Sequence, residues 1–138
     1  MKRNLLKFTL ITLLMSMALY MTSCNTEKNK TIDMNGKNDV WRASLNINTG
    51  YNNDLVIRLI TEEFEPPSEI SVDVLAKDKS VYSESLKIEE DDFPHAGIYK
   101  SNFDSVKYLE KNYKDVSIIV SFNNETIIIP LDSIEIIE

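Results

Sequence analysis

From residue 41 onward, hydrophobic residues in this chain recur with a period of two. Over residues 41–48 apolar side chains alternate with polar ones, and the apolar set comprises Trp41, Ala43, Leu45 and Ile47. This alternation is typical of a β-strand with one buried face, because successive side chains of a strand point to opposite sides. The same period returns over residues 55–59, 70–76 and 116–122. The pattern therefore predicts a domain built from short strands.

Turn-forming residues separate these runs. Pro66 and Pro67 end one strand because neither residue can donate to a ladder of backbone hydrogen bonds. Asn123 and Asn124 join two β-rich runs, and asparagine tolerates the positive φ that a two-residue hairpin needs. Pro130, in the second of these runs, requires an edge or bulge position. We therefore predict a hairpin near the C-terminus, with Pro130 of its second strand at an edge or at a bulge.

Val106, Leu109 and Tyr113 depart from this period, and their spacing of three and four residues predicts one or two helical turns. The rest of the pattern, with a turn signal after each short strand, favours an all-β sandwich or a small barrel. We predict an antiparallel Ig-like β-sandwich of about seven strands over residues 39–138. Trp41 is the expected central core residue.

The N-terminus has the parts of a secretory signal: basic residues (Lys2, Arg3 and Lys7), an apolar stretch over 8–21, and small residues before Cys24, the only cysteine. The apolar stretch is shorter than the ~20 residues that span a bilayer core. Met21-Thr22-Ser23-Cys24 resembles the lipobox of bacterial lipoproteins. This resemblance implies that residues 1–23 are a signal peptide and that Cys24 carries diacylglycerol. A plain secreted protein and an uncleaved anchor are the alternatives.

Residues 24–38 are then the lipidated cysteine and a polar segment, which we predict to be a flexible tether because it has few apolar residues to bury. The chain has 22 acidic and 15 basic residues. Removal of the signal takes three basic residues and no acidic one, which leaves a formal net charge of −10. This balance argues against a nucleic-acid partner, which requires clustered basic residues.

Few residues in the sequence are candidates for catalysis or metal binding. His95, the only histidine, follows Asp91 and Asp92 and is either a metal ligand or general base, or an exposed loop residue, which we favour. The acidic run at 89–92, with Glu62, Glu63 and Glu65, offers oxygen ligands for Ca²⁺, but the spacing of a calcium loop is missing. The chain has no nucleophile or phosphate-loop motif. We therefore predict a protein that is not an enzyme and has no cofactor and no metal.

Six aromatic residues fall in or near predicted loops: Tyr51, Phe64, Tyr99, Phe103, Tyr108 and Tyr113. Two interpretations are open. Aromatic residues in loops serve as anchors at protein interfaces, or they cap the open ends of the core.

The order of Trp41, a proline-containing loop and the hairpin at 121–126 resembles small Ig-like lipoproteins of Firmicutes. With the lipobox, this resemblance implies a domain anchored through Cys24 to a cell membrane or outer membrane, on its extracytoplasmic side. We expect a non-catalytic domain that binds another envelope protein through an exposed strand edge or a loop end. The alternative is a small ligand or cation at the acidic loop end.

Overall fold

The computed structural model describes residues 29–88 and 97–138. Within these ranges, nine strands and one short helix follow in the order β1 (Thr31–Lys37), β2 (Trp41–Asn48), β3 (Asn52–Leu59), β4 (Glu69–Ala76), β5 (Lys79–Lys87), β6 (Ile98–Asp104), α1 (Lys107–Lys111), β7 (Val116–Phe122), β8 (Glu125–Pro130) and β9 (Ser133–Ile137). One antiparallel sheet has the order β6-β3-β2-β1-β9, and the other has the order β5-β4-β7-β8. The fold is an all-β sandwich, as the sequence pattern predicts.

The seven strands from β2 to β8 have the pairings of an Ig-like sandwich. Labelled A, B, C, C′, E, F and G in chain order, they pair as A-B-E in one sheet and C′-C-F-G in the other. Strands β1 and β9 extend the first sheet beyond β2, so the described residues contain nine strands rather than about seven. The sheets are separate and do not close into a barrel.

The core lies between the inner faces of the two sheets. Trp41, Ala43, Leu45 and Ile47 are fully buried, as the alternation of β2 predicts. Facing residues from β4 and β7, such as Val72 and Val120, are also fully buried. The tilted rings of Trp41 and Tyr99 have centroids 5.9 Å apart within the first sheet. Trp41 thus lies on the central strand of the larger sheet, and Tyr99 packs against it from the edge strand β6.

The predicted hairpin and helix are both present. Asn123 and Asn124 have φ angles of 47° and 64°, the left-handed region that a tight hairpin turn requires. Pro130 ends β8, which is an edge strand of the smaller sheet. The helix α1 has Leu109 as its buried residue, in agreement with the spacing of three and four. These predictions are confirmed. Each could be made from the sequence because it depends on residues that are close together along the chain.

The prediction of a flexible tether through residue 38 is wrong for residues 31–37. These residues form β1, in which Ile32 and Met34 are buried and alternate with polar neighbours. Strand β1 is paired on both sides, with β2 along its whole length and with β9 over five residues. Two buried apolar side chains are few for a strand, so much of the order of β1 comes from pairing with β2, the next strand along the chain, and with the distant β9. The sandwich begins at Thr31 rather than at residue 39.

Candidate functional site

Several predicted site residues lie outside the described residues. Cys24 precedes them, and His95 and the acidic run at 89–92 fall in the gap between 88 and 97. The remaining carboxylates of the predicted cation site, Glu62, Glu63 and Glu65, are exposed in the loop between β3 and β4. They line an open depression of about 530 Å³ together with Phe64. Among the described residues, no three acidic, histidine or cysteine side chains are placed to hold a metal ion.

The six aromatic residues differ in burial, and one of them, Tyr113, is partly buried against the core. Tyr99 and Phe103 are buried in β6, so for them the structure favours the core over an interface anchor. Phe64 stacks on Phe122 at a centroid distance of 6.0 Å, which extends the core into the loop after β3. Tyr51 is 61% exposed, and the Tyr108 ring lies under the ammonium of Lys79 at 4.8 Å. Tyr51 is thus the side chain of this set with the most surface available to a partner.

Each of the two sheets ends in two edge strands, and three of the four edges carry features that oppose pairing with another chain. Strand β8 ends at Pro130, β6 carries Lys100, and β5 has lysines at both ends and a register shift opposite Val74 and Leu75. Proline, lysine and bulges on an edge strand all hinder the addition of a further strand.

The fourth edge, β9, lacks these features. It contains neither proline nor lysine, its pairing with β1 runs without a register shift, and its free side has no strand partner among the described residues. Ile136 and Ile137 are 40% and 50% exposed. The backbone groups on the free side of β9 are therefore available to an added strand, next to apolar side chains. The sequence pattern did not reveal this edge, because the order of strands in a sheet decides which strand is at an edge.

The outer face of the five-stranded sheet is polar, and its side chains form rows across the strands. One row runs through Asn102, Asp54, Asn46, Asp33 and Glu135 on five consecutive strands. The Asn102 amide donates to the Asp54 carboxylate at 2.5 Å, and the Asn46 amide donates to Asp33. These amide donors offset part of the repulsion among three carboxylates in one row.

A second polar network joins the two sheets. The Tyr82 hydroxyl of β5 donates to the Glu84 carboxylate, and the Ser101 hydroxyl of β6 donates to the same carboxylate at 2.9 Å. The hydrogen bond from Tyr82, followed by that from Ser101, lowers the pKa of Glu84, while burial and the Glu84 hydrogen bond raise the pKa of Tyr82. The network links β5 to β6 through these hydrogen bonds. Glu84 is held in its charged form on the surface, which does not suit a carboxyl group that has to exchange a proton with Tyr82.

No helix in the described part of the chain has the length and hydrophobicity to cross a bilayer. Comparison with protein-family models, with curated proteins and with solved structures finds no match to this chain. The candidate sites therefore rest on the geometry of the described residues and on the sequence.

Proposed function

We propose that this chain is a lipid-anchored protein of the cell envelope, and that its sandwich binds another envelope protein by adding a strand of that partner to β9. The exposed edge β9 is the single observation that carries the proposal. Added strands bind through backbone hydrogen bonds, with neighbouring side chains supplying specificity. The proposed activity is non-catalytic.

Three features of β9 favour it over the other edges. It has no proline or lysine to oppose pairing, Ile136 and Ile137 supply exposed apolar contacts, and its partner β1 is held on its other side by β2. An unprotected edge, even one of five residues, is an aggregation hazard that soluble proteins usually avoid. Its retention here is explained if a partner strand covers it.

The anchor is proposed from the N-terminal sequence. The signal-like residues 1–23 and the lipobox-like Met21-Thr22-Ser23-Cys24 support acylation of Cys24, with the domain on the extracytoplasmic side of a cell membrane or outer membrane. Two acyl chains hold a protein stably at a bilayer, whereas one chain binds reversibly. Only six residues, 25–30, separate Cys24 from β1. Of these, Asn29 and Lys30 hydrogen-bond to Tyr51 and Thr49 of the sandwich, so the connection from Cys24 is shorter still and would keep the sandwich close to the membrane.

Labelling with radioactive palmitate in a bacterial host tests the anchor. The unmodified chain is expected to incorporate label and to sediment with membranes, and Cys24→Ala is expected to lose both properties. Ser23→Ala is the matched control, because it keeps a small residue beside the cysteine and should still be labelled. Label in Cys24→Ala, or none in the unmodified chain, would contradict the anchor.

Crosslinking in native membranes, followed by mass spectrometry, tests the edge. Ile137→Lys places a charge on β9, where it should prevent strand addition and abolish the crosslinked species. Ile128→Lys is the control, because Ile128 is 59% exposed on the other sheet and its edge already ends in proline. Crosslinks that survive Ile137→Lys but not Ile128→Lys would move the interface away from β9. If no crosslinked partner is found reproducibly, the proposal that the sandwich binds another envelope protein is wrong.

A further inference from the structure

The outer face of the five-stranded sheet carries a row of three cations near one end. Lys37 of β1 lies opposite Arg42 of β2, and Arg42 lies opposite Arg58 of β3. All three side chains are exposed. Only one other arginine occurs in the sequence, Arg3 in the signal-like segment. Register therefore brings together both arginines of the sandwich, in a chain whose net charge is negative.

This arrangement is unfavourable for the sandwich alone. Like charges directly opposite each other on neighbouring strands destabilise a sheet. Lys37, Arg42 and Arg58 form no hydrogen bond and no ion pair through their side chains with any residue in the described ranges. By contrast, the carboxylates of the row through Asp54 and Asp33 receive amide donors. The cation row thus has positive charge that the folded domain does not neutralise.

The shape of the surface beside the row leaves space for a ligand. An open depression of about 460 Å³ is lined by Asn35, Gly36, Lys37, Arg42, Asp132 and Ser133. Asp132 is acidic and Asp39 follows in the turn after β1, yet neither pairs with the three cations. The polar side chains of Asn35 and Ser133 occupy the next row and add hydrogen-bonding groups. The depression therefore contains two of the three cations, Lys37 and Arg42, with neutral polar groups and one carboxylate, that of Asp132, while Arg58 lies beside it in the same row.

We propose that Lys37, Arg42 and Arg58 bind a soluble ligand that carries two or more linked phosphate groups. A guanidinium presents a planar fork of donors that matches phosphate oxygens, and arginine is favoured wherever such bidentate recognition occurs. A phosphate has more free oxygens than a carboxylate and can accept from two guanidinium groups at once. Three neighbouring strands at ~4.8 Å spacing place the cations across roughly 10 Å, which exceeds one phosphate and suits linked phosphates.

The position of the row disfavours phosphate groups of the membrane that holds the anchor, an argument that depends on the proposed lipidation. Lys37 ends β1 and Thr31 begins it, six residues and roughly 20 Å apart at ~3.3 Å per residue. The anchored segment joins at Thr31, so the cation row is at the far end of the strand from the bilayer. A soluble phosphate compound reaches this surface without reorientation of the domain.

Calorimetric titration of the full-length chain in non-ionic detergent, with sodium tripolyphosphate as the probe, tests the proposal. Binding is expected to be at least about tenfold tighter than binding of inorganic phosphate or citrate, and to weaken as sodium chloride is raised. Arg42→Gln/Arg58→Gln is expected to weaken tripolyphosphate binding at least about tenfold. Lys87→Gln/Lys111→Gln removes the same charge from exposed positions elsewhere and should bind as the unmodified chain does.

Thermal unfolding of the same proteins shows whether each variant is folded, so that a loss of binding can be told apart from a failure to fold. Tripolyphosphate should raise the melting temperature of the unmodified chain and not that of Arg42→Gln/Arg58→Gln, because only a native-state ligand stabilises. If the glutamine variant does not fold, Arg42→Lys/Arg58→Lys keeps the charge, loses the bidentate fork and should also bind more weakly. Three results would each overturn the proposal. They are equal affinity for citrate and tripolyphosphate, unchanged tripolyphosphate affinity in the arginine variants, and binding only to phosphatidylglycerol vesicles.

Discussion

Gly36 in β1 lies directly against the backbone of Pro130 at the end of β8. A Cβ at position 36 would overlap the carbonyl oxygen of Pro130 and lie 2.9 Å from its carbonyl carbon. It would also lie 3.1 Å from Cδ2 of Leu131. The two residues belong to different sheets, and the chain crosses between the sheets directly after Pro130 on its way to β9. The absence of a side chain at Gly36 thus permits the approach of β8 to β1.

Replacement of Gly36 by alanine should therefore lower the free energy of unfolding. The obstructing atoms are backbone atoms, which cannot rotate away, and overpacking of this kind costs about 1–3 kcal/mol. Denaturation in urea measures the change. Asn35→Ala is the control, because Asn35 is exposed and adjacent in the same strand. A change within about 0.5 kcal/mol for Gly36→Ala, as at an ordinary surface site, would show that the sheets approach less closely.

Phe122→Ala should destabilise the domain more than Phe64→Ala. Phe122 contacts the edge of the Trp41 ring at a centroid distance of 5.4 Å and stacks on Phe64, so it joins the core to the loop. Phe64 is 38% exposed and stacks on Phe122 alone among the described rings. We expect losses of about 2 kcal/mol and at most about 1 kcal/mol, below the range for fully buried phenylalanine.

Fluorescence of Trp41, the only tryptophan, reports both unfolding transitions. If Phe64→Ala lowers the free energy of unfolding as much as Phe122→Ala does, Phe64 is a core residue although it lies in a loop. If Phe64→Ala costs nothing but removes the crosslinked partner, its role is at an interface.

The stability of the domain should fall between pH 10 and pH 12 because of Tyr99. Burial raises the pKa of Tyr99 from 10.0 to about 12, and its hydroxyl donates a hydrogen bond to the carbonyl oxygen of Pro67. Above pH 10 the unfolded chain loses a proton that the folded chain still holds, so the free energy of unfolding decreases as the pH rises towards 12. Below pH 10 this residue contributes no pH dependence.

Urea denaturation of the unmodified chain and of Tyr99→Phe at pH 7 and pH 11 measures this contribution. Tyr99→Phe should lose about 1 kcal/mol at pH 7, from the missing hydrogen bond, and should show a smaller decrease at pH 11. Tyr51→Phe, at an exposed position, should behave as the unmodified chain does. An identical decrease in Tyr99→Phe would assign the alkaline instability to other groups.

Much of the fold was predictable because local rules decide it. The alternation over residues 41–48 identifies β2 and the burial of Trp41 without any knowledge of its partners. The Asn123 and Asn124 turn is predictable because asparagine tolerates positive φ, and both residues adopt it. The position of Pro130 in an edge strand follows from its missing N–H. In each of these cases the physical cause lies in the residue itself or its immediate neighbours.

Strands β1 and β9 were not predictable in the same way. The segment 31–37 has only two large apolar residues, and β9 is short and largely exposed. Each is ordered by pairing, β1 with β2 and β9, and β9 with β1. Strand β1 has an adjacent partner in β2, but its second partner, β9, is about a hundred residues away and is placed by the whole sandwich. The polar composition of 31–37, taken without these partners, is that of a tether.

The candidate sites likewise include some that can be predicted from local sequence and some that depend on strand pairing. The lipobox-like segment at Cys24 and the acidic loops are visible as continuous stretches of sequence. The free edge of β9 and the row of Lys37, Arg42 and Arg58 are not, because strand order creates the first and strand register the second. The sequence by itself determined that the chain forms short half-buried strands, since a period of two needs no partner. Only the tertiary structure decided which strands are edges and which charges are neighbours, since both depend on how strands pair and not on the residues of any one strand.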